Sequence, residues 1–154
     1  MEFTNMSIIL VIENQPENMK PTCIALSNRG HTILEACNGG DGIRIAKEEQ
    51  PDLIIIDTAL PGLDGPTTTR LLKANPLTRD IKIITLLALT AAEEREKLLK
   101  LGAYESMNKP VQYEILLNLI DAALTVKQTM EQLPKEETAE PSSEEPEKLK
   151  LKFS

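Results

Sequence analysis

The chain is organised around one apolar segment and the polar loop after it, Leu53-Ile54-Ile55-Ile56-Asp57-Thr58-Ala59-Leu60-Pro61-Gly62-Leu63-Asp64-Gly65. An apolar run this short, without polar alternation, predicts a strand that is buried on both faces, as in a parallel sheet. The run ends abruptly on Asp57. Ligands of open α/β sheets bind outside the carboxyl ends of the strands. We therefore expect Asp57 to lie at a functional edge of the sheet.

Four further segments have the pattern of strands, and five amphipathic segments between and after them have the pattern of helices. The predicted strands are Ser7–Ile12, Thr32–Ala36, Leu53–Asp57, Ile81–Leu87 and Tyr104–Asn108. The predicted helices are Pro16–Asn28, Ile43–Gln50, Thr67–Ala74, Ala91–Leu101 with Thr90 as its cap, and Val111–Lys127. Strict alternation predicts an α/β fold with right-handed crossovers. The size suits a flavodoxin-like, doubly wound parallel sheet of five strands in the order 2-1-3-4-5.

The composition changes near the end of the chain. Residues 6–128 are predicted to form one domain, and residues 129–154 an acidic tail rich in Pro, Glu and Lys. Such a segment buries too little apolar surface to offset its chain entropy, so we expect it to be disordered. Two roles stay open for it, a solvated tail without a partner and a docking or solubilising segment.

Bulk composition excludes several classes of function. The net charge of −7 argues against nonspecific nucleic-acid binding, which needs basic residues to neutralise phosphates. No apolar run approaches the roughly 20 residues of a membrane span, and Met1–Asn5 lacks the features of a signal peptide, so we expect a cytoplasmic protein. Cys23 and Cys37 are interpreted as buried thiols of a reducing compartment, and His31 as a surface turn residue.

Polar residues follow three of the predicted strands. Glu13 and Asn14 follow the first, Asp57 ends the third, and Lys109 follows the fifth. Two carboxylates and a carboxamide suit a hard cation such as Mg²⁺. A carboxylate can attack a phosphoryl group, and a metal and an ammonium would neutralise the phosphoryl oxygens. Each residue alone is weak evidence, but together at one sheet edge they predict phosphoryl chemistry.

From Ser7 to Lys127 the sequence resembles the receiver domains of bacterial two-component response regulators. The matching motifs are the Ile-Leu-Val-Ile run before Glu13-Asn14, the pattern Asp57-x-x-x-Pro61-x-x-Asp64-Gly65, Gly102-Ala103 and Lys109-Pro110. The resemblance implies that Asp57 accepts a phosphoryl group from a histidine kinase or phosphotransfer protein, and that Lys109 contacts that group. It also implies a magnesium site formed by Glu13, Asn14, Asp57 and the backbone carbonyl of Ala59.

Three positions depart from the family pattern. Asn14 stands where a second acidic residue is usual, so we expect Mg²⁺ to bind weakly. Leu87 stands where a Thr or Ser normally hydrogen-bonds the phosphoryl group, and Ser106 stands at the aromatic position of strand five. Thr85 shares the face of Leu87 but lies about 6–7 Å further down the strand.

These features predict a stand-alone response regulator rather than an enzyme. It would be phosphorylated on Asp57 and would signal by protein–protein interaction through the face of strand four, helix four and strand five. The alternative is a pseudo-receiver that binds partners independently of phosphorylation. A flavodoxin-like cofactor protein is disfavoured, because Glu13-Asn14-Gln15-Pro16 lacks the Ser, Thr and Gly of a phosphate-cradling loop.

Overall fold

Five strands and five helices alternate along the chain. The structure, a computed structural model, describes residues 6–88 and 92–131. The strands are β1 (Ile8–Ile12), β2 (Thr32–Ala36), β3 (Leu53–Asp57), β4 (Lys82–Leu87) and β5 (Glu105–Asn108). The helices are α1 (Pro16–Asn28), α2 (Gly39–Glu49), α3 (Gly65–Ala74), α4 (Ala92–Leu101) and α5 (Tyr113–Glu131). Pro21 lies within α1 and does not end it.

The strands form one parallel sheet in the order β2-β1-β3-β4-β5. This confirms the predicted flavodoxin-like topology. The middle strand, β3, is buried at all five positions, as its unbroken apolar sequence predicts. The register sets Asp57 opposite Leu86 of β4 and Thr85 opposite Ser106 of β5.

Two apolar layers cover the sheet, because successive side chains of a strand point to opposite faces. Ile9 and Ile55 pack into the layer that contains residues of α1 and α5. Leu10 and Ile54 pack into the opposite layer, with residues of α2 and α3. Fully burying one such side chain contributes about 1.5–3 kcal/mol. The apolar runs of β1 and β3 therefore serve both layers at once and fix the positions of their polar ends.

Helices α2 and α3 begin earlier than their sequence patterns predict. The amphipathic patterns begin at Ile43 and Thr67, whereas the helices begin at Gly39 and Gly65, within the two glycine-containing segments that the sequence indicated as helix starts. The Asn38 side chain accepts a hydrogen bond from a backbone N–H of α2, and Asp64 does the same for α3, both at 2.8 Å. These N-caps stabilise a first turn in glycine-containing segments that have low intrinsic helix propensity.

His31 is buried, so its interpretation as a surface turn residue was wrong. Its side chain is 5% exposed, and its Nδ1 accepts a hydrogen bond from the backbone N–H of Ser7 at 3.1 Å. Burial lowers the pKa of His31, which favours the neutral ring that this hydrogen bond requires. The residue joins the segment after α1 to the segment before β1, a contact that a local pattern does not reveal.

The two cysteines differ in environment and are both free thiols. Cys37 is exposed, which contradicts its prediction as a buried residue. Cys23 is half-buried, and burial together with the neighbouring Glu35 carboxylate raises its pKa to about 11. Its sulfur lies 3.6 Å from Glu35 Oε2. Cys23 is therefore a protonated thiol at neutral pH, as an ordinary structural cysteine is.

Internal contacts divide the chain into one unit that ends at Leu124 and a second that spans Thr125–Ser154. The first contains the sheet and most of the helical residues. Of the second, the structure describes only the end of α5, through Glu131. The tail was predicted to begin at residue 129, but residues 129–131 are the end of α5, so that boundary was wrong. The rest of the predicted tail, from residue 132 onward, and the predicted cap Thr90 lie outside the described residues. Within the described ranges, none of the helices is sufficiently long and apolar to cross a bilayer.

Candidate functional site

The carboxyl edge of the sheet brings together Asp57, Glu13 and Lys109. Asp57 is the last residue of β3. Glu13 directly follows β1, and its backbone N–H donates to the Ala36 carbonyl at 3.0 Å. Lys109 directly follows β5, and its backbone N–H donates to the Leu87 carbonyl at 2.7 Å. Sheet hydrogen bonding therefore extends one residue beyond each strand and fixes both flanking residues beside Asp57.

Asp57 is the most strongly held carboxylate in this site. It is 3% exposed, its Oδ2 lies 2.6 Å from the Lys109 ammonium, and its Oδ1 accepts from the Ala59 N–H at 3.0 Å. Burial alone would raise the pKa of Asp57, but the N–H of Ala59 and the ammonium of Lys109 outweigh it and hold the pKa below its ordinary value. At neutral pH Asp57 is ionised, which is the state a nucleophile needs.

The pKa of Glu13 is shifted upward, in the direction opposite to that of Asp57. It is 4% exposed, and burial, a hydrogen bond to Asp57 and the charge of Asp57 together raise its pKa from 4.5 to about 7. The N–H of Gln15 donates to Glu13 Oε2 at 3.2 Å and partly offsets this rise. Near neutral pH Glu13 is therefore only partly ionised when no cation is close to it, whereas Asp57 is ionised.

The charge balance of the site fits a divalent cation. Two buried carboxyl groups share one ammonium, so Glu13 retains a proton that a bound cation would displace. Asn14 follows Glu13 and is half-buried, and it is the third residue at this edge whose side chain carries an oxygen. Across the described residues, no group of three His, Cys, Asp or Glu side chains is placed to hold a metal. A cation here would depend on amide, carbonyl or water oxygens for its other ligands.

The end of β4 presents an apolar side chain to this edge. Leu87 is fully buried and packs with Leu98 and Ala103, the end of α4 and the residue after Gly102. Its carbonyl accepts from the N–H of Lys109, so its backbone is adjacent to the site. Leucine has no donor, and the position therefore supplies packing without a hydrogen bond to an anion.

Sequence patterns alone did not reveal a polar pair in the interior of the sheet. Thr85 and Ser106 are both buried, and their hydroxyl groups hydrogen-bond to each other. The strand register places them side by side on neighbouring strands. The signal was present as two isolated hydroxyl residues in apolar strands, but only the register of β4 against β5 makes them a pair.

The loop between β3 and α3 depends on a close approach at Gly65. A Cβ atom at this position would lie 2.4 Å from the Thr58 Cα and 2.9 Å from the Asp57 carbonyl oxygen. The Gly65 N–H also donates to the Thr58 carbonyl at 3.3 Å. The start of α3 is therefore in contact with the backbone that presents Asp57.

Gly65→Ala is expected to destabilise the protein by about 1–3 kcal/mol and to displace the Asp57 loop, because the backbone must move to admit the methyl group. Urea unfolding measures the loss. Gly40→Ala is the matched control, since its Cβ would meet only the Asn38 side chain at 3.5 Å within α2. We expect the control to be neutral or stabilising. Equal stability of the two variants would contradict the close contact at Gly65.

A cleft of about 590 Å³ opens beside the site. Glu13 and Lys109 border it, and its walls come from α1, from the end of β4 and from the segment that leads into α5. Thr22 of α1 and Tyr113 of α5 both line the cleft, and their hydroxyl oxygens are 3.3 Å apart. The cleft gives a second molecule a route to the edge where Lys109 and Asp57 meet.

Comparison with known families identifies the class of protein to which this fold and this arrangement of residues belong. Residues 9–121 match the family model of the response regulator receiver domain. The chain belongs to the response regulator receiver domain family.

Individual relatives agree with this assignment. Protein PilH of Pseudomonas aeruginosa is 36% identical over 121 residues, which are 77% of this chain and 98% of PilH. The response regulator PleD of Caulobacter vibrioides is 28% identical over 85% of this chain, but the match spans only 29% of PleD. This chain thus corresponds to nearly all of PilH and to less than a third of PleD.

Solved structures have the same fold. The receiver domain of a Pseudomonas aeruginosa sensor histidine kinase, determined with magnesium coordinated in its active site cleft, is 28% identical. It superposes with a TM-score of 0.72 over 78% of this chain and 98% of that domain. A response regulator receiver domain protein from Clostridium thermocellum gives a TM-score of 0.76 at 27% identity, over 81% of this chain and 99% of that protein.

Proposed function

We propose that this protein is a stand-alone response regulator that accepts a phosphoryl group on Asp57 and signals by binding another protein. The observation that best supports the proposal is the buried Asp57 carboxylate, held ionised with its Oδ2 2.6 Å from the Lys109 ammonium. The match to nearly the whole of PilH supports a receiver that functions without an attached output domain. On this proposal the protein is a signalling protein and not an enzyme.

The chemistry follows from the contacts of Asp57. An Asp57 oxygen attacks phosphorus, a P–O bond forms, and the bond between phosphorus and the donor group breaks. The Lys109 ammonium then neutralises charge on the phosphoryl oxygens. The N–H of Ala59 holds the other carboxylate oxygen and orients the nucleophile. The product is an acyl phosphate, which is labile in acid or base.

Receiver domains typically bind Mg²⁺, and we propose the same role for Glu13, Asn14, Asp57 and the Ala59 carbonyl. The cation would supply positive charge to the phosphoryl oxygens. The proton on Glu13 near neutral pH supports the assignment, because it marks excess negative charge that a metal would neutralise. Asn14 contributes an oxygen but no charge, so we propose weak binding.

Receiver domains take their phosphoryl groups from histidine kinases or phosphotransfer proteins, and we propose such a donor here. The cleft beside Glu13 and Lys109 gives the donor access. We propose that the output partner binds the face formed by β4, α4 and β5. We propose neither nucleic acid nor a membrane as a partner, since the net charge is −7. We also propose that the protein is cytoplasmic.

Two-dimensional ¹⁵N NMR with acetyl phosphate and Mg²⁺ tests this function. We expect shifts around Asp57 and also in α4 and β5 of the wild type, and no such shifts in Asp57→Asn. The exposed Asp80→Asn is the control and should respond as the wild type does. An unchanged wild-type spectrum would contradict the proposal.

The second candidate is a pseudo-receiver that binds its partner independently of phosphorylation. It is favoured by Leu87, which is fully buried against Leu98 and offers no hydroxyl to a phosphoryl group, and by the Ser106 hydroxyl, which is already bonded to Thr85. For such a module, Asp57→Ala would leave partner binding and phenotype unchanged. A clear phenotype of Asp57→Ala would exclude it.

A further inference from the structure

The side chain of His31 holds the amino end of β1, the end opposite the functional edge. Its Nδ1 accepts from the Ser7 N–H at 3.1 Å, and the Ser7 carbonyl accepts from the Thr32 N–H at 2.8 Å. The paired positions of β1 and β2 begin only at Ile8. The His31 ring therefore extends the hydrogen bonding of β1 by one residue, and it does so with a side chain in place of a neighbouring strand.

This hydrogen bond fixes which nitrogen of His31 carries a proton. A ring nitrogen that accepts from an N–H has no proton of its own, so the neutral ring carries its single proton on Nε2. The residue is 5% exposed, and within the described residues Nε2 has no hydrogen-bond partner. A buried N–H without an acceptor is rare in folded proteins. In this part of the chain, the bond to Ser7 is thus the one side-chain hydrogen bond of the neutral ring.

Charged groups from three segments act on the ring. Arg29, directly after α1, and Asp121, on α5, form an ion pair at 2.8 Å. Asp52, directly before β3, accepts from the Ile8 N–H at 2.9 Å. Burial, aided by the Arg29 guanidinium, lowers the pKa of His31 below its ordinary value of 6.5, although the two carboxylates favour the charged ring. The buried ring is therefore neutral near neutral pH, with carboxylates close by for the charged form.

We propose that the His31 ring and the Ser7 N–H form a proton-operated latch on the first strand. A proton from solvent that binds Nδ1 takes the lone pair that accepts from Ser7, so two N–H groups then face each other and the hydrogen bond is lost. The charged ring pairs with the Asp121 carboxylate, in competition with Arg29. The amino end of β1 then separates from the turn between α1 and β2.

The latch opens in acid, because the released ring binds a proton at its ordinary pKa of 6.5 and the buried ring binds it less readily. The closed state keeps its full stability above pH 6.5 and loses stability as the pH falls from 6.5 toward the lower pKa of the buried ring. The latch is therefore closed at neutral pH. It involves neither Asp57 nor the proposed metal ligands, so it does not depend on the proposed function.

NMR of the whole, tag-free protein from about pH 8 to about pH 5, without Mg²⁺ or a phosphoryl donor, tests the latch. His31 is the one histidine of the sequence, so its ring signals need no further assignment. We expect the ring to titrate below pH 6.5. The Ser7 amide should lose about fivefold or more of its protection from hydrogen exchange, with the same midpoint, since one hydrogen bond is lost. The Gly102 amide, which donates to the Leu99 carbonyl at 3.1 Å, is the internal control and should keep its protection.

Two substitutions separate the hydrogen bond from the titration. His31→Asn keeps an acceptor oxygen near the position of Nδ1 but binds no proton, so the Ser7 amide should stay protected throughout the pH range. His31→Leu keeps a buried apolar side chain without an acceptor, so the Ser7 amide should be unprotected at every pH. Glu13, whose pKa is about 7, is unchanged in both variants, and any effect of its titration would persist in them.

Several outcomes would overturn the proposal. On the wild type alone, these are a ring that titrates at or above pH 6.5, a ring that stays neutral down to about pH 5, and a Ser7 amide that keeps its protection while the ring titrates. A loss of Ser7 protection that is equal in the wild type and in His31→Asn would also overturn it, since that variant cannot take up the proton. The wild-type comparison of ring and amide decides the matter even where a variant fails to fold.

Discussion

Leu87→Thr is expected to raise the rate constant for phosphorylation of Asp57 roughly 10- to 100-fold. A hydrogen bond to a charged group is worth about 1.5–3 kcal/mol, and each 1.36 kcal/mol changes a rate tenfold. Leu87 is the last residue of β4, and its carbonyl accepts from the N–H of Lys109. The backbone at this position is adjacent to Lys109, whose ammonium contacts Asp57, and we expect a hydroxyl here to reach the phosphoryl group.

Leu87→Val is the matched control for this experiment. Valine has the shape of threonine but no hydroxyl, so both variants lose the same packing against Leu98 and Ala103. The rate of labelling by acetyl phosphate, followed by intact mass, separates the two effects. If the threonine and valine variants are labelled at the same rate, the missing hydroxyl does not limit the reaction.

Glu13→Gln is expected to stabilise the metal-free protein by an amount on the order of 3 kcal/mol at pH 8. Folding raises the pKa of Glu13 from 4.5 to about 7, so the folded state favours its protonated form. The stability that protonated Glu13 contributes is fully present below pH 4.5 and is lost as the pH rises through about 7. Glutamine stays neutral throughout, and its amide can still donate to Asp57.

Thermal unfolding with a chelator present measures this effect. A gain on the order of 3 kcal/mol corresponds to a rise in Tm of about 10 °C at pH 8, and the gain should vanish near pH 4.5. The exposed Glu17→Gln in the first turn of α1 is the control and should change Tm little at either pH. A Glu13→Gln variant that is less stable than wild type at pH 8 would contradict the raised pKa. We also expect Mg²⁺ to stabilise this variant less than it stabilises the wild type, because Glu13 is a proposed ligand of the metal. The loss of stability that Glu13 causes in the metal-free protein would then follow from its proposed function.

The sequence was sufficient for the fold because its strongest signals are local. Uninterrupted apolar runs in β1 and β3 identify strands buried on both faces, and strict alternation with helices leaves few topologies. The amphipathic patterns of α2 and α3 begin a few residues after the helices do, because the caps Asn38 and Asp64 precede glycines that weaken the helical pattern. His31 was misplaced because its partner, the N–H of Ser7, is 24 residues away in the chain.

The members of the site were predictable from the ends of the strands, but their electrostatics were not. Asp57, Glu13 and Lys109 follow apolar runs whose ends must meet at one edge of a parallel sheet. The elevated pKa of Glu13 depends on burial and on the contact with Asp57, which require coordinates. The pairing of Thr85 with Ser106 likewise depends on the register of β4 against β5.

The central claim is that Asp57 accepts a phosphoryl group although Leu87 provides no hydroxyl. Intact-mass analysis after incubation with acetyl phosphate and Mg²⁺ tests it most directly. We predict an acid-labile phosphoryl adduct on the wild type and on the control Asp80→Asn, abolished by a chelator and absent from Asp57→Asn. An unlabelled wild type, or an equal adduct on Asp57→Asn, would contradict the claim.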